Sequence, residues 1–285
     1  MKRKSIYTGW FMAPAMVIFT VLFLVPTLIS LFFSLTVWNF DSFTFCGLEN
    51  YKTFFTDESL YSSILHTMIY AVFTCVLKLV IAFFLAVFLT SKIRTKNFLR
   101  SVVFFPNLIS TVAVGITFSA LMHPTKGVIN KAIETLGGAS VDWLGNTDIA
   151  LYSVIITDVW KGVGIATVIF IAGMQSIDST FYEAASIDGA SSWQKLKAIT
   201  VPLSRPAMNS IIILSFIGGL RTFDLIWTMT GGGPGYATEV MASTVYKQYA
   251  AGYYGLSTAG NVIMFVLIAV MAFPLQRFLL SKEVD

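Results

Sequence analysis

The sequence predicts an all-α integral membrane protein with six transmembrane helices and both termini on the cytoplasmic side. Three observations predict it. Of 285 residues, 56% are hydrophobic and 12% charged, where a soluble domain carries about 25% charged residues. Apolar runs near the ~20 residues that a spanning helix needs recur along the chain. The basic residues between them fall mostly on alternate sides. The mean hydropathy of +0.76 excludes a disordered chain, which needs low hydrophobicity. A pI near 9.0 does not indicate nucleic acid, because the basic residues form no single cluster. Cys46 and Cys75 have neither metal-ligand spacing nor a disulfide framework.

The spans follow in order, within one membrane domain covering 1–285. The first lies at about 10–35, within a charge-free stretch that follows Lys2, Arg3 and Lys4. That stretch is far longer than a signal-peptide core and lacks a small-residue cleavage site, so it reads as an uncleaved anchor. Pro14 and Pro26 predict a kink in it. The others lie at about 64–89, 102–121, 150–174, 206–228 and 256–273.

Charge sets the orientation. Twelve of the 19 Lys and Arg residues sit on the side of the termini: Lys2, Arg3, Lys4, Lys92, Arg94, Lys96, Arg100, Lys195, Lys197, Arg205, Arg277 and Lys282. Lys52, Lys126, Lys131 and Lys247 sit on the other side, with Asp41, Glu49, Asp57, Glu58, Glu134, Asp142, Asp148 and Glu239. The positive side is the cytoplasm. Lys78, Asp158, Lys161, Arg221 and Asp224 fall within the spans, where a charge costs at least ~2.5 kcal/mol and marks a functional hypothesis.

The cytoplasmic loop at about 176–205 predicts two short helices, near 181–188 and 192–200. Thr180 with Glu183 and Ser191 with Gln194 fit capping boxes. Gly189 suits a left-handed helix end. Pro202 is expected to stop the second helix. Pro206 suits the first turn of span five, with Ser204 as its cap.

In this loop Glu183-Ala184-Ala185, Asp188-Gly189-Ala190 and Ile199-Thr200-Val201-Pro202 resemble the E-A-A loop of ABC importer permeases. Every spacing matches, and Val201 stands where the family usually has Leu. Further matches extend over nearly the whole chain: Gly47-Leu-Glu-Asn-Tyr51, Arg100 with Phe105-Pro106, Asp142-Trp143-Leu144, and Phe223-Asp224-Leu225 with Thr230-Gly-Gly-Gly-Pro234. They resemble the carbohydrate-uptake members, of maltose and glycerol-phosphate type.

The resemblance implies a type I ABC importer permease fold in a bacterial inner membrane. It implies one half of a sugar translocation path working by alternating access, the sugar being a saccharide or polyol derivative. The implied partners are a second permease, two ATP-binding subunits, an extracytoplasmic solute-binding protein and membrane lipid, with no nucleic acid. The loop residues Glu183, Ala184, Ala185, Asp188, Gly189, Ala190, Ile199 and Pro202 would couple to the ATPase. Residues Gly231, Gly232, Gly233 and Pro234, within Thr230 to Thr238, would meet the binding protein.

The chain lacks a G-x-x-x-x-G-K-[ST] phosphate loop. It is therefore expected to be a transport subunit without its own ATPase site or cofactor, ATP and Mg being held by the partner ATPase. No catalytic residues and no metal site are expected.

The substrate is expected near Asp158, Lys161, Gly162, Ser215, Gly219, Arg221, Thr222 and Asp224. Asp158 lies roughly 12 Å below one face and Arg221 roughly 22 Å above the other, so both sit at similar depth. An alternative stays open: Asp158 with Arg221, or Arg221 with Asp224, would form a structural ion pair, and the small residues would serve helix packing. Lys78 is isolated, left either to snorkel or to pair, and receives no role. A secondary transporter, which would show inverted repeats, and a non-transporting scaffold remain rival readings.

Overall fold

A computed structural model of the chain describes residues 9–39, 41–91 and 93–281. Lys2, Arg3, Lys4, Lys92 and Lys282, used above for orientation, lie outside these residues. Among the described residues four helices are long and apolar enough to cross a membrane, and up to six if each of two bent pairs counts as one span. The chain divides into two compact units: one runs to Tyr61 and takes in Thr244–Phe265, and the other comprises Ser62–Ser243 with the segment from Val266 onward.

In the first unit, helix α1 (Trp10–Phe33) holds both prolines without breaking. A 3-10 turn at Gly9–Met12 precedes Pro14, and a π-helical turn at Thr20–Leu24 precedes Pro26. The widened turn makes room for the proline ring beside the carbonyl that its missing N–H leaves unbonded. A hairpin not expected from the sequence follows, β1 (Thr36–Trp38) antiparallel to β2 (Phe43–Phe45), with Val37 opposite Thr44. Next comes helix α2 (Glu49–Thr56). The Asn50 amide donates to the carbonyls of both Ser34 and Thr36, at 2.9 Å each. That ties α2 to the end of α1, and the Ser34–Tyr51 hydroxyl contact of 2.7 Å reinforces it.

Helix α3 (Glu58–Thr90) starts well before the expected residue 64. Asp57 caps it, accepting the Ser59 N–H at 2.9 Å, and Glu58 complements the positive helix end.

The expected third span is two helices, α4 (Lys96–Leu108) and α5 (Thr111–Leu121), bent by 97°. Ile109 and Ser110 both adopt extended ψ, 139° and 136°, so the helix cannot pass through them. At 1.5 Å per residue, neither piece reaches the ~30 Å of a bilayer core alone. Helix α6 (Val128–Thr135) follows, then the long α7 (Ala150–Gln175), close to its expected limits.

The loop expected on the cytoplasmic side folds as α8 (Ser179–Ile187) and α9 (Ser192–Leu203). The cap of α8 is Asp178, which accepts the Thr180 N–H at 2.9 Å, not Thr180 as expected. The Ser191–Gln194 capping box is present. Pro202 does not stop α9: a π-helical turn at Leu196–Thr200 lets its ring in, and the helix runs on to Leu203.

Helix α10 (Arg205–Leu220) then leaves at 63°. Pro206 sits in its first turn as expected, and Ser204 holds the N-cap position without a side-chain bond. Span five was expected to reach 228, but α10 ends at Leu220. A break at 221–223 separates it from α11 (Asp224–Met229). Helices α12 (Met241–Ala250) and α13 (Tyr254–Leu280) complete the chain, α13 outrunning its expected limits at both ends.

Lipid gives no hydrophobic push between helices, so close packing of small residues must join them. In the second unit Ala82 and Ala86 of α3 pack with Ala166, Phe170 and Ile211 in one buried cluster. A Cβ on Gly219 of α10 would lie 2.6 Å from the Ala71 Cα of α3, and one on Gly164 of α7 would lie 2.4 Å from the Val103 carbonyl of α4. Tyr70, Val154, Ile155, Leu225 and Ile226 form a second core.

Candidate functional site

Helices α3, α4, α7 and α10 surround a cavity of about 280 Å³ in the second unit. Lys78 of α3 reaches across it to Asp158 of α7, with Nζ 2.6 Å from Oδ2. The side chains keep only 12% and 23% of their surface exposed. Asn107 from α4, Lys161 and Gly162 from α7, and Ser215 and Gly218 from α10 complete the polar part of the wall. Asn107 stands two residues before the break between α4 and α5. Lys161 forms no ion pair among the described residues, so the pair plus Lys161 leaves the cavity net positive. The buried Tyr70 hydroxyl sits beside Asp158 and Thr222 without completing a hydrogen bond to either.

Of the residues expected at a substrate site, Asp158, Lys161, Gly162 and Ser215 line this cavity. Gly219 does not: it faces α3, and its neighbour Gly218 faces the cavity. Gly162 does not keep space for a ligand ring. A Cβ there would meet Lys78 Cε at 2.7 Å and Nζ at 2.9 Å, so the glycine makes room for the lysine to reach Asp158. Arg221, Thr222 and Asp224 lie on or beside the break after α10, outside the cavity wall, with Arg221 and Asp224 exposed.

Neither expected ion pair forms, because Asp158 is taken by Lys78 and Arg221 sits beyond the end of its helix. Lys78 is thus the residue that sequence reading missed. The available signal was its own isolation, since a lysine inside an apolar helix requires a partner.

The loop residues are positioned by short-range chemistry. Gly189 has φ +75°, ending α8 in the left-handed region. Glu183 accepts from Ser179 Oγ at 3.1 Å, and Lys195 Nζ donates to Ser186 Oγ at 2.8 Å. The Tyr182 and Thr200 hydroxyls, 3.0 Å apart, clamp α8 to α9. Glu183, Ala184, Asp188 and Gly189 are exposed, and Ala185, Ala190, Ile199 and Pro202 are half-buried. Around them Phe181, Ile187 and Trp193 are exposed by 53%, 88% and 68%. Large apolar side chains in an aqueous loop mark a surface built to be covered.

The glycine loop after α11 is folded onto itself. The Thr230 and Thr238 hydroxyls lie 2.7 Å apart, and Thr238 Oγ1 donates to the Gly233 carbonyl at 2.7 Å. His66 Nδ1 lies 3.1 Å from the Glu239 carbonyl, which ties the loop to α3. Gly232 is buried, and Gly231, Gly233 and Pro234 are half-buried. The outermost residues are Gly235 and Tyr236, inside the Thr230 to Thr238 stretch expected to face a partner and next to Gly231 to Pro234.

Comparison with known proteins adds to this geometry. A model of the family described as binding-protein-dependent transport system inner membrane component matches residues 78–282. The trehalose/maltose transport system permease protein MalF of Thermococcus litoralis is 33% identical over 79% of this chain and 76% of its own length. The multiple sugar-binding transport system permease protein MsmF of Streptococcus mutans is 31% identical over 98% of this chain and 97% of its own. A chain from a bacterial alginate ABC transporter, in complex with an alginate pentasaccharide-bound periplasmic protein, superposes with a TM-score of 0.78 at 21% identity. The match covers 95% of this chain and 91% of that one.

Proposed function

The chain belongs to the family of binding-protein-dependent transport system inner membrane components, and on that premise we propose how its parts divide the work of importing a sugar. It is a multi-pass permease subunit of a sugar ABC importer, and a solute-binding protein is its partner. In our reading the Lys78–Asp158 cavity is this subunit's share of the path. A second permease supplies the other half, and two ATP-binding subunits hold ATP and Mg and dock on α8 and α9. The membrane is then the bacterial inner membrane, and the chain itself hydrolyses nothing.

One observation carries this reading. Helix α9 continues through the bend at Ser204 directly into α10, and α10 presents Ser215 and Gly218 to the cavity. A displacement of the α8–α9 hairpin from below therefore moves a wall of the cavity. The hairpin is stiff enough to act as a lever because its ends are capped and its helices clamped at Tyr182–Thr200. The lever turns ATPase closure into alternating access, biasing a two-state wall. Polar groups in the cavity offer charge-assisted hydrogen bonds to sugar hydroxyls, and substrate passes Asp158 and Lys161. Glu183, Ala184, Ala185, Asp188, Gly189, Ala190, Ile199 and Pro202 shape the docking face. Gly231 to Pro234 hold the external loop in form for the binding protein.

The experiment is G189D or E183K in the importer reconstituted with its ATPase. Either is expected to abolish uptake while the permease still inserts. Full uptake with normal assembly in both variants would overturn the coupling role.

A further inference from the structure

A second cavity, of about 600 Å³, opens in the first unit, at the side where α2 begins, α3 starts and α12 ends. Its volume lies in the ~300–1,000 Å³ range of small-molecule clefts. The basic loops mark this side as external. The chemistry of its wall comes from Trp38, Glu49, Asp57, Gln248, Tyr253 and Tyr254.

Local structure fixes each group. Helix α12 ends in a Schellman turn: the Tyr253 N–H donates to the Gln248 carbonyl and the Gly252 N–H to that of Tyr249, at 2.9 and 3.0 Å. The left-handed Gly252, φ +87°, makes that turn possible and brings Tyr253 back beside Gln248. Gly255 then lets α13 close on the hairpin, since a Cβ there would meet the Thr36 carbonyl at 1.9 Å. Trp38 packs on Phe33 at 4.6 Å and on Tyr254 at 5.2 Å, and Tyr249 backs Tyr254 at 5.2 Å. One aromatic wall is therefore rigid. Tyr253 instead stands 63% exposed.

Asp57 is ionised there: the Ser59 hydroxyl and the backbone N–H groups of Ser59 and Leu60 hold its carboxyl below the usual range. Glu49 pairs loosely with Lys52, at 3.9 Å.

We propose that this cavity is a second saccharide site, one that takes an uncharged sugar unit on the outer face. A ring stacks its apolar face on Tyr253, and its hydroxyls donate to Glu49 and Asp57 and exchange hydrogen bonds with Gln248. Two carboxylates, one carboxamide and a tyrosine platform suit a ligand rich in hydroxyls. The same carboxylates repel a uronate or a sugar phosphate, so the site selects neutral units. The proposal rests on the chain's being a sugar-importer subunit and does not depend on the Lys78 cavity.

The test is saturation-transfer NMR on the purified full chain in detergent micelles. The probes are maltotriose, lactose, trehalose and arabinotriose, with galacturonate as the charged control. At least one neutral probe should bind, and galacturonate should not. Y253A, D57N and Q248A should each weaken binding about tenfold or more, and Y253F should retain it. Retention in Y253A and D57N, or binding of none of the four neutral probes, overturns the proposal. So does the outcome in which these variants keep saccharide binding but lose stimulation of ATP hydrolysis by the binding protein, which would make the cavity a protein-docking surface. Uptake lost in E183K with external binding intact would leave both the import role and this site standing, so the two readings fail separately.

Discussion

Lys78 Nζ and Asp158 Oδ2 lie 2.6 Å apart across the notch left by Gly162. The pair joins α3 to α7 at the edge of the cavity. Removing one partner leaves the other charge out of water. K78M or D158L alone should therefore cost roughly 3–5 kcal/mol, and the double variant K78M/D158L clearly less than the sum. Unfolding in mixed micelles across the double-mutant cycle measures this. An additive cycle would show the two groups acting independently. G162L should reproduce the single-variant loss by pushing Lys78 off its partner, whereas G162A asks a lysine tip to move by a fraction of an ångström.

Gly218 and Gly219 separate an open cavity wall from a close-packed contact within two adjacent residues. A Cβ on Gly219 meets the Ala71 Cα, which belongs to a helix backbone and cannot step aside, while one on Gly218 meets nothing within 4 Å. G219A should lose about 1–3 kcal/mol of stability, the usual cost of overpacking, and G218A almost none. G218F should keep its thermal midpoint yet block uptake by filling the cavity. Equal stability of G219A and G218A would contradict the packing described here.

Local signals made part of this molecule legible in advance. Long apolar runs marked the membrane helices because hydropathy is summed along one segment. Gly189 and the Ser191–Gln194 box were readable because their partners lie within four residues. Lys78–Asp158 was not, since its partners are 80 positions apart and nothing local fixes which faces meet. The break at Ile109–Ser110 escaped for a different reason: two extended ψ angles leave no mark in an apolar run. Gly162 and Gly219 stood open between substrate site and helix packing, because a glycine signals close approach but not what approaches; both prove to be sites of close approach.

The α8 cap carries a pH dependence of known sign. The Thr180 backbone N–H, with the Thr180 side chain, holds the exposed Asp178 carboxyl below its usual value. A carboxyl lowered in the folded state adds stability above its unfolded pKa, ~3.9. That contribution is lost as pH falls through the lower folded value. Amide protection over residues 179–187 should thus show no loss of the cap from pH 8 to pH 5 and a loss only in stronger acid. D178N should remove the acid step. A loss near neutral pH would assign the cap to another group.

The apolar face of the α8–α9 hairpin predicts what covers it. Ile187 is 88% exposed and Trp193 68%, and neither supports the hairpin's own hydrogen bonds. I187D should therefore leave insertion and thermal midpoint unchanged while the ATP-binding subunit no longer co-purifies. I187L, which keeps the apolar surface, should retain it. Loss of stability in I187D would place the side chain in the fold instead of at a contact.

The external glycine loop gives the last prediction, which tests sidedness and shape together. Gly235 and Tyr236 are its outermost residues, whereas Gly232 is buried beneath the Thr230–Thr238 contact. In a chain with Cys46 and Cys75 replaced by Ser, G235C and Y236C should react with an impermeant thiol reagent added outside, and G232C should not. The loop follows α11 and leads into α12, on the face opposite α8 and α9 in the orientation that the basic loops define. Addition of the solute-binding protein should then slow labelling at 235 and 236, because these residues reach furthest toward it. Labelling from the cytoplasmic side would reverse the topology and, with it, the assignment of α8 and α9 to the ATPase. Labelling of G232C as fast as G235C would instead mean that the hydroxyl pair does not hold the loop closed, and that Gly231 to Pro234 meet the partner directly.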